Sequence, residues 1–218
     1  MKDSIFRFFT RSTLKRLATK RAILIEGLRG LDLTIAIQPE EVGLDPSVSF
    51  RSSASGNKYL KRLLKDLKIT KEDAIIDVGC GKGSAMRIML GFPFARVDGI
   101  ELSKSIAAIA ESNLKKLEVM NSKVFNCDAS SFVEYDTYNM VYFYNPFSCN
   151  IMSQVIKNIL ASIERSEREV IIIYNNPVCD DVLVRQDGFV KRRNYPDEWG
   201  NGISVYSNRK GAHSRIAR

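Results

Sequence analysis

Along most of this chain, short apolar runs alternate with longer amphipathic stretches. Ala74 to Val78 is a five-residue run rich in β-branched side chains, and Ala85, Met86, Ile88, Met89 and Leu90 then fall at helical spacing. The alternation continues downstream. It predicts strands at 74–79, 96–101, 122–127, 138–144 and 169–175, with helices at 58–67, 83–91, 103–118, 149–163 and 178–186. Strands that are apolar throughout and separated by helices imply a parallel sheet covered on both faces. After Asp187-Gly188 the rhythm changes: 189–194 and 203–207 are strand-like, with only the loop Pro196 to Gly202 between them. The predicted fold class is therefore α/β, a seven-stranded, mostly parallel, doubly wound sheet with helices on both faces and a C-terminal antiparallel hairpin.

The first 57 residues follow a different pattern. If Ser4 to Arg29 is helical, Leu14, Leu17, Leu24 and Leu28 mark an apolar stripe, while Arg7, Arg11 and Lys15 stack four apart on another face. Ser47 to Asn57, SVSFRSSASGN, holds five serines in eleven residues and reads as a flexible loop. The expected organisation is a basic N-terminal helical extension and serine-rich lid loop (1–57), a folded domain (58–207) and a basic tail (208–218).

Charge supports that division. The net charge is +8 over 218 residues. Residues 1–30 hold eight Lys/Arg against Asp3 and Glu26, and 207–218 hold four with no acid, so 21 cations face 23 acids in between. The excess sits in the two ends, and the high isoelectric point says nothing about the surface of the folded centre. The basic N-terminal segment suits an anionic surface or polymer, and equally a solvated face on a helix that packs against the domain. No run of apolar residues is long enough to span a membrane, and the N-terminus lacks a signal-peptide pattern. Cys80, Cys127, Cys149 and Cys179 form no CxxC pair and read as reduced thiols, and the expected location is cytoplasmic, either free or peripheral to the membrane. The one histidine, His213, stands six residues from the end, which leaves no basis for a His-based triad and no expected metal site.

The strand ends hold the candidate chemistry. Gly79, Gly81 and Gly83 fall within five residues at the turn from the first predicted strand to its helix. Glycine there permits positive φ and close approach to bare backbone, next to a helix N-terminus. The first strand carries Asp77, the second ends in Glu101, 22 residues beyond Gly79, the third in Asp128 and the fourth in Asn145-Pro146-Phe147. Ligands of open α/β sheets bind at the carboxyl edge where strand order reverses, so these groups are expected to meet in one crevice. Glu101 stands where an acid grips both hydroxyls of a ribose. A dinucleotide fingerprint, G-x-G-x-x-G/A, would need glycine or alanine at 84, where Ser84 stands, and it gives no reason for Asp77. A nicotinamide-dependent oxidoreductase, or a non-catalytic nucleoside-binding module, is the alternative reading.

DVGCGKG (77–83), GIELS (99–103) and CDAS (127–130) together resemble the motifs of the class I, Rossmann-like S-adenosylmethionine-dependent methyltransferases. More narrowly, DVGCGKG, GIELS and YNPF resemble bacterial relatives of the disruptor-of-telomeric-silencing-like lysine methyltransferases, which lack a SET domain. That likeness is confined to the cofactor half, and neither histone nor lysine specificity is carried over with it. The resemblance implies S-adenosyl-L-methionine as cofactor, with Asp77, Gly79, Cys80 and Gly81 at its methionine end, Glu101 at the ribose, Leu102 on the adenine, and Asp128 with the Ala129 backbone at the adenine edge. Lys82 either pairs with the cofactor carboxylate or points to solvent. Asn145-Pro146-Phe147 is similar to the Asn/Asp-Pro-Pro-Tyr/Phe motif with which amine methyltransferases hold a planar nitrogen, one proline shorter. Tyr144 and Asn145 are candidates to accept a hydrogen from an amine, and the methyl acceptor itself is left open: protein side chain, nucleic acid, small molecule or membrane-associated intermediate.

Overall fold

The computed structural model describes residues 11–47, 49–185, 188–197, 202–209 and 216. Seven strands form one sheet: β1 (Ala74–Val78), β2 (Arg96–Glu101), β3 (Val124–Asn126), β4 (Met140–Tyr144), β5 (Ile171–Asn175), β6 (Val190–Tyr195) and β7 (Ile203–Ser207). Their order is β3-β2-β1-β4-β5-β7-β6. β1 to β5 pair in parallel, and β7 runs antiparallel to both neighbours, β5 and β6. The sheet thus reverses its winding between β1 and β4, which places a crevice at their carboxyl ends.

The helices α1 (Arg11–Leu28), α2 (Lys58–Asp66), α3 (Ser84–Met89), α4 (Lys104–Lys116), α5 (Cys149–Arg165) and α6 (Asp180–Arg185) follow from the same patterning. In α2, Leu60, Leu63 and Leu64 recur at helical spacing and are fully buried, and the Asn57 side chain caps the helix by accepting from Tyr59 N and Leu60 N. The period-two alternation of the strands divides the core. Ile75, Val97, Tyr142 and Ile173 pack with α2, α3 and α4, whereas Ile76, Val141, Phe143 and Ile172 pack with α5 and α6. β1, β5 and β7 are buried at every position, so no alternation survives in their sequences.

Three expectations need correction. The third strand is shorter than 122–127, because the Lys123 N–H is taken by Asp98 Oδ1 at 2.7 Å and the Ser122 hydroxyl by Val97 O. The four cysteines are not all thiols: Cys149 and Cys179, 30 residues apart, are disulfide-bonded with Cα atoms 5.4 Å apart. They meet because β4 and β5 are parallel neighbours and each cysteine lies just beyond its strand; Cys80 and Cys127 are free. The bond removes the argument from reduced thiols to a cytoplasmic location. Finally, of the expected helix Ser4 to Arg29, residues 4–10 lie outside the described residues, and the apolar side chains Leu17, Leu24 and Leu28 of α1 are exposed instead of packed on the domain. His213 and most of the 208–218 tail also lie outside the described residues.

The chain between α1 and α2 folds back across the crevice. It is fixed by isolated bridges, Ile37 with Ser52 and Ser49 with Phe147, and by a short 3-10 turn, Pro39–Val42, whose N-cap Gln38 N–H donates to Glu41 Oε1 at 2.8 Å.

Candidate functional site

At the carboxyl edge of β1, β2 and β4 lies a cavity of about 190 Å³. Its floor is the turn after β1. Gly79, Gly81 and Gly83 all have positive φ, at 79°, 54° and 84°, conformations that cost an L side chain about 1–2 kcal/mol. Their missing side chains serve neighbouring chain segments. A Cβ on Gly79 would come within 2.4 Å of Pro146 Cβ, and one on Gly81 within 2.5 Å of Ser52 Oγ. The glycines therefore let the β1 turn press against the β4 turn and against the crossing segment, while the N–H groups of Gly79 and Cys80 donate to Ile100 O and that of Gly81 to the Glu101 carboxylate.

Asp77 lies behind this turn, not on the cavity wall: it is 1% exposed and its Oδ2 has no hydrogen-bond partner. Burial, and secondarily the Glu101 charge, pushes its carboxyl up to about 8. Glu101, at the end of β2, does line the cavity and accepts from Gly81 N at 3.0 Å and Ser103 N at 2.9 Å. Burial raises its pKa, and those backbone donors oppose the rise. Cys80 lines the cavity, its thiol held protonated by burial and by Asp77 and Glu101. The Glu101 carboxylate on the cavity wall, with the Asp77 carboxyl buried behind it, makes this end of the cavity a receptor for hydroxyl donors.

The adenine-side residues also line the cavity. Leu102 is half exposed at its mouth, Asp128 uses Oδ1 to accept from Ser130 N and Oγ, both at 2.8 Å, and Ala129 is buried beside it. Asn126, the last residue of β3 and in register with Glu101, clamps the Glu101 and Leu102 carbonyls through its Nδ2 at 2.9 and 3.0 Å.

Lys82 takes neither expected role. It is 4% exposed, and its Nζ pairs with Asp32 Oδ1 at 2.6 Å, away from the cavity lining. Asn113 completes the bracket, donating to Asp32 O at 2.7 Å and Lys82 O at 3.0 Å. The lysine anchors the start of the crossing segment to the glycine turn.

Tyr144, Asn145, Pro146 and Phe147 all line the cavity. Asn145 holds φ at 40°, and its buried Oδ1 has no partner. The Pro146 carbonyl accepts from Phe50 N at 3.4 Å. Phe147 is buried and meets Phe143 edge-on, with ring centroids 6.3 Å apart. Of the three parts of a planar-amine clamp, only the Asn145 oxygen is uncommitted.

The opposite wall was not named residue by residue from sequence. Ile37, Pro39, Leu44, Phe50, Ser52 and Ser55 of the crossing segment enclose the cavity. Ser55 and Asn175 both hydrogen-bond the buried Tyr142 phenol, the Asn175 amide donating at 3.1 Å, and burial raises the phenol's pKa. The serine-rich composition flagged this loop; the alternation of β4, which puts Tyr142 on one face with Tyr144, was the available signal for the tyrosine.

A family described as "Methyltransferase domain" matches residues 75–168. An uncharacterized protein of Methanocaldococcus jannaschii is 26% identical over 140 residues, covering 61% of this chain and 38% of its own length. Among solved structures, MtNAS in complex with MTA and tNA superposes with a TM-score of 0.54 at 19% identity, over 70% of this chain and 59% of that one. An RNA methyltransferase from Salinibacter ruber bound to S-adenosyl-L-homocysteine gives 0.52 at 16% identity, over 73% and 95%. The chain thus spans less than two thirds of the archaeal relative and of MtNAS. Strand order, the glycine turn at the switch point and these likenesses make the fold that of the class I S-adenosylmethionine-dependent methyltransferases.

Proposed function

We propose that the chain is an S-adenosylmethionine-dependent methyltransferase whose cofactor occupies the Asp77–Glu101–Asp128 side of the cavity and whose acceptor enters along Tyr144 to Phe147. One observation carries the reading: the unpartnered, buried Asp77 Oδ2 behind the glycine turn, with Glu101 next to it. Such a pair repels a pyrophosphate and suits a ligand that brings an ammonium and a ribose. This disfavours the nicotinamide alternative.

The residues present fit that cofactor. Asp77, behind the glycine turn, would on losing its proton offset the ammonium of its methionine end across that turn, while Glu101 would meet the ribose hydroxyls, Leu102 the adenine face, and Asp128 with the Ala129 backbone the adenine edge. Bound there, S-adenosylmethionine supplies a methyl group already activated by a sulfonium. The protein's task is then to align and to exclude water, and orientation alone is worth roughly 7–11 kcal/mol. The crossing segment closes the cavity, and Asn145 Oδ1 can accept a hydrogen from an entering nitrogen. An amine acceptor is favoured by that one free oxygen. The likeness of DVGCGKG, GIELS and YNPF to the disruptor-of-telomeric-silencing-like enzymes supports the cofactor half of this proposal and leaves the acceptor open. The 1–57 segment acts in this reading as a basic extension plus lid.

Calorimetric titration with S-adenosylmethionine, S-adenosylhomocysteine and NAD, repeated on Asp77→Ala, tests it. Binding of the two sulfur nucleosides that the substitution abolishes is expected. Binding of NAD alone would overturn the proposal, and binding of none would identify a module that keeps the fold without the chemistry.

A further inference from the structure

The helix α1 is exposed in a way that no packing within the described chain accounts for. It has 18 residues, about 27 Å at 1.5 Å per residue. Leu17, Leu24, Ile25 and Leu28 are 50%, 65%, 39% and 81% exposed. At 100° per residue these four fall within about 100° of arc, one continuous apolar stripe. The same helix carries Arg11, Lys15, Arg16, Lys20 and Arg21, and its single acid is Glu26.

Glu26 is already committed to the fold. Its carboxylate accepts from Leu33 N at 3.3 Å, Thr34 N at 3.0 Å and Thr34 Oγ1 at 2.8 Å, with the Arg87 guanidinium 3.9 Å away. The domain therefore grips α1 near its C-terminal end, and the acid does not offset the cations farther up the helix. Arg16, Lys20 and Arg21 are exposed. Arg21 lies inside the apolar arc, where its methylene stem can cover leucine while the guanidinium reaches outward.

We infer that α1 is a docking helix for an anionic lipid surface, lying in the headgroup plane with Leu17, Leu24, Ile25 and Leu28 turned toward the acyl boundary. The combination selects this partner. A nucleic-acid backbone would satisfy the cations and leave the four apolar side chains in water; an apolar protein groove would take the leucines and leave the exposed Arg16, Lys20 and Arg21 without counter-charge. An anionic bilayer interface accepts both. Among the described residues no helix is long and apolar enough to cross a membrane, so the helix lies on the surface. The cavity's outer wall begins at Ile37, nine residues past Leu28, so docking holds that wall on the lipid side of the domain. This proposal goes beyond the methyltransferase reading and does not depend on it.

Flotation of the full chain with vesicles of phosphatidylcholine alone, and of phosphatidylcholine mixed with phosphatidylglycerol, tests the inference. The chain is expected to float with the mixed vesicles and not the neutral ones. Leu24→Glu with Leu28→Glu, and separately Arg16→Glu with Lys20→Glu, should each lower the bound fraction at least about tenfold, a loss of both halves of interfacial binding. All these positions are exposed, so an unchanged melting temperature shows that each variant folds. Absence of flotation, or equal flotation with neutral vesicles, overturns the proposal. So does undiminished binding by the leucine variant, which marks attraction by charge alone; tight binding of polyuridylate in that case would assign the helix to nucleic acid.

Discussion

The wall of the cavity that carries Glu101 and the wall that carries Asn145 satisfy their polar atoms in different ways. On the first, each group is held by backbone within a few residues or on the adjoining strand: Glu101 by Gly81 N and Ser103 N, Asp128 by Ser130, and the Glu101 and Leu102 carbonyls by Asn126. On the second, the partners come from far along the chain. Pro146 O is met by Phe50 N and Phe147 by Ser49, while Asn145 Oδ1 is left without a partner. The first wall is preorganised by strands and turns that must form for the sheet to exist. The second depends on how the segment between α1 and α2 is laid across it.

The sharpest way to break this contrast is Asp77→Asn. Its folded pKa of about 8 stands far above the ordinary 3.8, so the folded chain holds a proton that the unfolded chain has released. Stability should therefore fall as pH rises from about 4 toward 8, and the penalty is full above 8. A displacement that large corresponds to on the order of 5 kcal/mol, so the asparagine variant should melt higher than the parent at pH 8.5 in the absence of ligand. It should bind S-adenosylmethionine at least tenfold more weakly, since a charged hydrogen bond is worth about 1.5–3 kcal/mol. A variant that melts lower would show that Asp77 is a structural carboxylate and not a site held open for a cation.

The disulfide offers the next largest effect, and it sits on the second wall. Cys149 lies two residues past Phe147, and its bond to Cys179 closes a 30-residue separation. In the chain-entropy account a loop of that length is worth about 3–4 kcal/mol. Cys149→Ser with Cys179→Ser should lose stability on that scale by chemical denaturation and keep the parent's affinity for S-adenosylmethionine. A weakened affinity would mean that the two walls are mechanically one. On the first wall, Glu101→Gln should cost about 1–3 kcal/mol of nucleoside affinity by titration, because a neutral amide can accept from only one of Gly81 N and Ser103 N without placing its NH₂ against the other. An unchanged dissociation constant would take Glu101 out of the site.

The same division explains what could be read from the sequence. β1 and β2 were visible to within a residue because apolar runs end there at a glycine or an acid, and strands alternating with helices fixed a parallel sheet. Glu101 and Asp128 were legible as strand ends. Lys82 was not, because its partner Asp32 is 50 residues away and a lysine in the glycine turn ahead of α3 carries no local mark of what it will meet. Nor was the Cys149–Cys179 pairing, which depends on β4 and β5 being neighbours, a property of the assembled sheet. The stripe of leucines in α1 was legible as an amphipathic pattern, but periodicity shows only that a face is apolar and not what covers it.

Asn145→Ala addresses the smallest and most specific difference between the walls. The asparagine sits at φ 40°, a region that asparagine tolerates better than alanine, and its amide oxygen is buried and unpartnered in a cavity otherwise well satisfied. Alanine removes the oxygen and pays a modest backbone strain, about 1 kcal/mol, that should appear as a small drop in melting temperature. The cofactor wall does not touch this amide, so the dissociation constant for S-adenosylmethionine should be unchanged. Once an acceptor is known, transfer should slow by about tenfold, equivalent to about 1.4 kcal/mol in the barrier, with the loss in kcat instead of in cofactor KM. If affinity and transfer fall together, Asn145 shapes the β4 turn that presses on Gly79, and the two walls share a hinge that their hydrogen bonding conceals.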